Sequence, residues 1–175
     1  MLIFIAQHSA ISTSKLETSL QSGNHQKLSS LIGAWEGVTK TWFEPGDPVD
    51  ESPVSGVFKP LFDGRFVMHE YQGTFQGKPF EGIAIYGYFL MTGKFQSVWM
   101  DTFHMGTGFM LSEGEANDPS VRITGNFQAS AEDSARWSWR TEIEWEGEND
   151  LIITAYNITP AGEETKALET RYHRK

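Results

Sequence analysis

The 175-residue chain contains no cysteine. That absence excludes a disulfide framework, a thiol nucleophile, a Cys-ligated zinc and an iron–sulfur cluster, and it leaves any chemistry to oxygen and nitrogen groups. Positive charge is scarce as well. Against 23 Asp and Glu there are 14 Lys and Arg, a net charge of -9, which is the wrong sign for a phosphate-backbone binder, so no nucleic-acid partner is expected. No apolar run approaches the roughly 20 residues that a membrane helix needs, and the chain is read as soluble and cytoplasmic, without a membrane partner. Residues 1–6 (MLIFIA) have no Lys or Arg ahead of them and fall short of the roughly 7 to 15 residues of a signal core, so they are expected to pack locally as a short extension. No Gly-x-Gly-x-x-Gly, Walker loop or Gly-x-Ser-x-Gly occurs, which removes the usual signals of nucleotide folds and α/β hydrolases.

What the chain does have is aromatic rings and glycine: 12 Phe, 6 Trp, 5 Tyr and 17 Gly. At about 150 residues per domain, there is room for one substantial core. Residues 11–32 differ from the rest, being rich in Ser, Thr, Lys, Leu and Gln and free of aromatics. Leu16 and Leu20 at i, i+4, Ser14 as a cap, and a stop at Ser22-Gly23-Asn24 predict one short helix, followed by a second carrying Leu28, Leu31 and Ile32. The expected organisation is a partly helical extension over residues 1–24 and one β-domain over 25–175.

From Gly33 the period becomes twofold, and turn signals recur every ten or so residues. Ten strands are predicted, over 33–44, 54–59, 65–72, 80–90, 94–103, 106–115, 121–129, 136–146, 151–159 and 166–174. Phe62-Asp63-Gly64 and Met91-Thr92-Gly93 are hairpin connections. So many sequential antiparallel strands curl and close, and a meander that closes is an up-and-down barrel without exposed edges. The fold class expected is therefore all-β, a single antiparallel barrel of about ten strands behind a short helical segment.

Parity then sorts the side chains. Residues 136–146 place Trp137, Trp139, Thr141, Ile143 and Trp145 on a buried face, with Glu142, Glu144 and Glu146 on a solvated one. Residues 94–103 place Phe95, Ser97, Trp99, Asp101 and Phe103 together, a carboxylate on an aromatic face. For 65–72 either Phe66, Met68 and Glu70 or Val67, His69 and Tyr71 point inward. An inward Glu70 beside Asp101 would make a paired-carboxylate site with one raised pKa.

Gly33-Ala34-Trp35-Glu36-Gly37, a Gly-x-Trp behind a short helix, resembles the opening of lipocalin-type calycin barrels. Leu61-Phe62-Asp63-Gly64-Arg65-Phe66, Gly77-Lys78-Pro79-Phe80-Glu81-Gly82, Gly87-Tyr88, Val98-Trp99-Met100-Asp101 and Tyr172-His173-Arg174-Lys175 occur in the order of the bacterial domain of unknown function 1579 family. That resemblance runs from about His25 to the end. One departure shows: this chain has Gly87-Tyr88-Phe89 where the family usually has Gly-Tyr-Asp. The resemblance implies a lipocalin-like barrel of roughly ten strands, with the opening Trp, here Trp35, lying across the barrel bottom against an Arg from the last strand, here Arg174. It implies no activity.

The leading functional reading is a barrel whose interior binds a small apolar or aromatic molecule, oriented by polar groups among Glu70, Tyr86, Trp99 and Asp101. A second is an enzyme using Glu70 or Asp101 as general base with His69 or His104 assisting. A third follows the haem barrels of the nitrobindin group, which also begin with Gly-x-Trp-x-Gly. There a His near the last strand ligates iron, and His173 is the analogous residue, although its parity with Glu169 and Arg171 points it outward. A fourth is a structural barrel forming homo-oligomers through outward aromatics such as Trp42 and Phe43. The five histidines, His8, His25, His69, His104 and His173, lack metal-binding spacing, and neither a metal site nor a cofactor is expected.

Overall fold

The computed structural model describes residues 14–116, 119–128 and 135–175, so the MLIFIA segment lies outside the described residues. The chain begins with helix α1 over 14–22 and α2, Asn24–Ser29. Ten strands follow: β1 Gly33–Thr41, β2 Asp50–Leu61, β3 Phe66–Phe75, β4 Lys78–Phe89, β5 Lys94–Asp101, β6 Met110–Glu115, β7 Val121–Gln128, β8 Arg136–Trp145, β9 Asp150–Ile158 and β10 Glu164–Arg174. Each pairs antiparallel with the next, and β1 pairs with β10, Trp35 opposite Arg174 and Thr39 opposite Thr170, so the sheet closes on itself. The result is a ten-stranded up-and-down barrel. Among the described residues no helix is long and apolar enough to cross a membrane.

Local chemistry sets the corners. Gln76 and Gly77 join β3 to β4 with φ of 49° and 77°, the left-handed pair that matches the twist of a two-residue hairpin. Strand β2 is twice the predicted length despite Pro53 and Pro60. Pro53 lies past the end of the β3 register and Pro60 past the end of the β1 register, so each missing N–H falls where one ladder has already ended. By contrast β6 starts only at Met110, because residues 102–107, with Gly106 at φ 59°, form a turn rather than the predicted strand start. Leu31 and Ile32 likewise lie beyond α2, in a 3₁₀-like step where their N–H groups reach the carbonyls of Leu28 and Ser29.

One end of the barrel is a sealed floor. Leu28 and Leu31 pack under Trp35, Phe58, Phe95 and Leu151, all almost fully buried. The Trp35 indole N–H donates to the Leu31 carbonyl at 2.8 Å, while the Arg174 guanidinium lies over the Trp35 ring at 4.2 Å and donates to the carbonyls of Ile32 at 2.7 Å and Ser30 at 2.8 Å. These bonds satisfy carbonyls left without helical partners where α2 ends. Gly33, at φ 143°, gives the guanidinium its path, since a Cβ there would stand 2.5 Å from Arg174 Nη1.

The outer wall corrects one expectation. Glu142 faces outward on β8 but is only 7% exposed, because the Arg122 Nε donates to it at 2.7 Å and Arg140 lies within ion-pair range at 3.0 Å. Two guanidiniums cover this carboxylate and take the place of water as its hydrogen-bonding partners. Both faces of β9 are buried there, Ile152 and Thr154 outward and Leu151, Ile153 and Ala155 inward.

Candidate functional site

Above the sealed floor the barrel is not filled. A cavity of about 100 Å³ is walled by inward side chains of most of the strands, among them Tyr86, Ser97, Trp99, Ser112, Trp139 and Thr141. Its existence depends on small residues. Gly125 stands opposite Ser112, and a Cβ there would meet Ser112 Oγ at 2.4 Å and Met110 Sδ at 2.7 Å. Gly82 serves the same purpose for Tyr71, whose hydroxyl would be 2.3 Å from an added Cβ.

Tyr86, Ser97 and Ser112 are successive cross-strand partners on β4, β5 and β6, so three hydroxyl-bearing side chains stand in one row across the wall. None of the three hydrogen-bonds to a protein group among the described residues, although Tyr86 and Ser97 are buried. Burial raises the Tyr86 hydroxyl pKa well above its ordinary value, so it remains an O–H donor. On the far wall the Thr39 and Thr170 hydroxyls pair with each other at 2.7 Å.

At the upper rim β5 ends on Asp101, and the chain turns so that His104 folds back beside it. The Asp101 side chain has no exposed surface. Its Oδ1 accepts the backbone N–H groups of His104 at 2.6 Å and Met105 at 2.9 Å, and its Oδ2 lies 2.7 Å from His104 Nδ1. Burial alone would raise the Asp101 pKa, yet the His104 side chain and the two backbone N–H groups together hold it below the usual carboxylate value. The His104 ring is set among Trp99, Trp139 and Phe103 at centroid distances of 5.4, 5.5 and 4.5 Å. Trp99 is fixed in turn, stacked on Trp139 at 5.5 Å and donating its indole N–H to the Tyr71 hydroxyl at 2.7 Å. Phe75 and Phe80 pack on Phe103 at 4.8 and 5.9 Å and complete an aromatic rim.

His69 sits deeper. It stacks face to face on Phe58, centroids 3.9 Å apart and planes within 2°, with Nε2 3.4 Å from the Tyr172 hydroxyl. Complete burial without a carboxylate partner lowers its pKa to about 3, so it is a neutral imidazole. Gly56 makes its space, because a Cβ there would be 2.4 Å from His69 Nε2.

Glu70 belongs to the other parity. It is on the outer wall, 41% exposed and paired with Lys59, so the proposed Glu70–Asp101 carboxylate pair does not form. The inward set on β3 is Val67, His69 and Tyr71, and Glu70 meets water and Lys59 instead of an aromatic interior. His173 is also outside, 65% exposed and 2.9 Å from Asp150 Oδ1, which removes the imidazole on which the haem alternative rested. Among the described residues no cluster of three His, Asp or Glu side chains is placed to hold a metal ion. Two larger depressions, of about 710 and 850 Å³, lie on the outer wall between residues such as Ser55, Gln72, Glu81 and Thr102. They are open to solvent, and although Tyr71 and Asp101 reach the first of them, Tyr86, Ser97, Ser112 and His104 line only the interior.

The profile of one protein family, described as "Protein of unknown function (DUF1579)", matches residues 21–174. The chain belongs to the DUF1579 family. No match was found among curated proteins. Among solved structures it is similar to Rv2717c from M. tuberculosis, at 15% identity and a TM-score of 0.56 over 86% of this chain and 96% of that one. It is also similar to the S-type phycobiliprotein lyase CPES from Guillardia theta, at 6% identity and a TM-score of 0.53 over 86% of this chain and 91% of that one. At these identities the likeness is one of fold.

The motifs that carry the DUF1579 resemblance divide between the floor and the cavity. Val98-Trp99-Met100-Asp101 sends Trp99 and Asp101 inward, and Tyr172-His173-Arg174 sends Tyr172 inward and Arg174 to the floor. The departure at Phe89 is at the lower end of β4, 45% exposed and away from the cavity. The Tyr86–Ser97–Ser112 row was missed as a unit by sequence reasoning, since it depends on the register of three strands. The only sequence signal for it was Ser97 on a face otherwise made of Phe95, Trp99 and Phe103.

Proposed function

We propose that this DUF1579 barrel binds a small, ring-sized, mostly apolar molecule inside its upper half, with the hydroxyl row of Tyr86, Ser97 and Ser112 meeting its polar group. The observation that carries this reading is an interior space walled by Trp99, Trp139, Phe80 and Phe103 and by hydroxyls that the protein leaves unpaired. A packed structural core has neither feature, because close packing fills space and buried polar atoms are paired. A volume of about 100 Å³ is somewhat below the roughly 150 Å³ of an engineered apolar cavity that takes up benzene. A single ring therefore enters with a small outward movement of the rim residues Phe103 and His104, which are carried by the turn containing Gly106.

Native mass spectrometry of the freshly purified full chain tests for a co-purifying molecule. Tryptophan fluorescence titrated with phenol and with toluene tests the site itself, since Trp99 and Trp139 line it. Saturable quenching that is weakened by Ser112→Val, which fills part of the cavity, is expected. Absence of saturation by either probe together with no co-purifying mass would overturn the reading.

A further inference from the structure

We propose that His104 is a fixed hydrogen-bond acceptor that selects, within the binding reading above, ring compounds bearing an O–H or N–H, such as phenols and indoles, over hydrocarbons and ethers of the same size. The proposal rests on that reading and adds to it the polarity of the ligand.

Asp101 fixes the tautomer of His104. Three N–H donors converge on a carboxylate with no exposed surface: the backbone N–H groups of His104 and Met105 on Oδ1, and His104 Nδ1 on Oδ2 at 2.7 Å. A carboxylate surrounded in this way is ionised and has no proton to give. The Nδ1 position must therefore carry the hydrogen, and in the neutral imidazole the lone pair is left on Nε2.

Nε2 lies on the side of the ring away from Nδ1 and has no hydrogen-bond partner among the described residues, while His104 itself forms part of the cavity wall. The rings of Trp99, Trp139 and Phe103 hold the imidazole in place without offering it a competing acceptor. The other polar groups of the wall cannot impose the same choice. Hydroxyls of Tyr86, Ser97 and Ser112 donate or accept by rotating, so they serve either kind of ligand. His104 in this tautomer only accepts. A ligand without a donor leaves it desolvated and unpaired, which is how a site built around one hydrogen bond rejects close analogues.

The test compares phenol, anisole and toluene with the full-length protein at pH 8 by fluorescence titration and calorimetry. Phenol is the least hydrophobic of the three, so hydrophobic transfer alone favours the other two. The expected result is phenol binding about 10-fold or more tightly than toluene or anisole. His104→Phe, which keeps a ring at the rim, should abolish that preference, bringing the ratio of phenol to toluene affinity down to about one or below. Asp101→Asn offers an N–H toward Nδ1 and moves the imidazole hydrogen to Nε2, so phenol should lose affinity relative to anisole, an inversion that loss of packing would not produce. If all three probes bind wild type equally, or if the preference survives in His104→Phe, this proposal falls and the cavity reading stands. If none of the probes binds, this proposal falls, and the cavity reading falls with it when no molecule co-purifies.

Discussion

Acid should weaken this fold through His69 before it reaches the carboxylates. The imidazole is fully buried, stacked on Phe58 and without a carboxylate neighbour, and burial lowers its pKa from the ordinary 6.5 to about 3. Between those two values the unfolded chain takes up a proton that the folded chain refuses. The contribution to stability is therefore fully present above pH 6.5, declines as the pH falls, and is exhausted near pH 3. At pH 5 the group is 1.5 units below its unfolded value, and at 1.36 kcal/mol per unit the loss is about 2 kcal/mol. By pH 3 it approaches about 5 kcal/mol, comparable to the whole stability of many domains.

His25 is also shifted down, by burial and by the charge of Arg65, and it acts in the same direction, so the measurement must be a difference. Urea unfolding of wild type and of His69→Phe at pH 7 and pH 5 isolates the residue, because the second histidine and the carboxylates are common to both. Phenylalanine keeps the stack on Phe58, and His69→Leu provides a smaller replacement if the larger ring strains against Gly56. The wild type should lose about 2 kcal/mol more than either variant between the two pH values. Equal losses in wild type and variants would show that His69 is protonated in the folded state and would refute the reasoning.

Further predictions concern the floor and the glycines. Arg174→Met removes two charged N–H donors from the Ser30 and Ile32 carbonyls and the stack on Trp35; denaturant unfolding should show a loss of about 2 to 3 kcal/mol, and Arg174→Lys should recover only part of it. Gly82→Ala drives a methyl to 2.3 Å from Tyr71 and 2.8 Å from Asp101 Cβ, so it should lower stability by about 1 to 3 kcal/mol and weaken interior binding in the same titration. Gly108→Ala, whose nearest neighbours would be 3.6 Å away, should change stability by less than about 0.5 kcal/mol in a thermal melt. Trp99→Phe keeps a ring on Trp139 but removes the N–H donated to Tyr71, and hydrogen exchange should show the β5–β6 turn opening more often.

The barrel was legible because alternation and turn chemistry are both local. Trp137, Trp139, Ile143 and Trp145 announce β8, and Phe95, Ser97, Trp99 and Asp101 announce the inner side of β5, without reference to any other strand. Strand β3 shows where this stops. Phe66, Met68 and Glu70 are nearly as apolar as Val67, His69 and Tyr71, and what decides between them lies elsewhere in the chain: Gly56 opens room for His69 and Gly82 for Tyr71. Glu142 failed for a related reason. Its exposure depends on Arg122, twenty residues away and on a neighbouring strand. The Asp101–His104 pairing is close in sequence, but it requires the chain to leave β5 at Asp101 and fold back at once, where the alternating pattern of 94–103 carries the expected strand on through Phe103.

The two inner histidines show why the rim, more than the depth of the barrel, is the place to look for selectivity. His69 has the more hydrophobic surroundings and the greater burial, and for that reason it has the weaker chemistry. With no carboxylate to fix its tautomer and only a 3.4 Å contact to the Tyr172 hydroxyl, it behaves as a flat spacer stacked on Phe58. His104 is less buried, yet a fully buried ionised carboxylate decides which of its nitrogens carries the hydrogen. Orientation of an imidazole needs a partner of fixed charge, and Asp101 keeps that charge because three N–H groups compensate its desolvation. The same three bonds close the turn that carries Phe103 and His104 over the cavity. Replacing Asp101 removes all three bonds and should act strongly on the rim as well as on selectivity, whereas replacing His104 removes one and leaves the two backbone N–H bonds to Asp101 in place, so its main effect should be on selectivity, and that difference separates positioning from contact at this site.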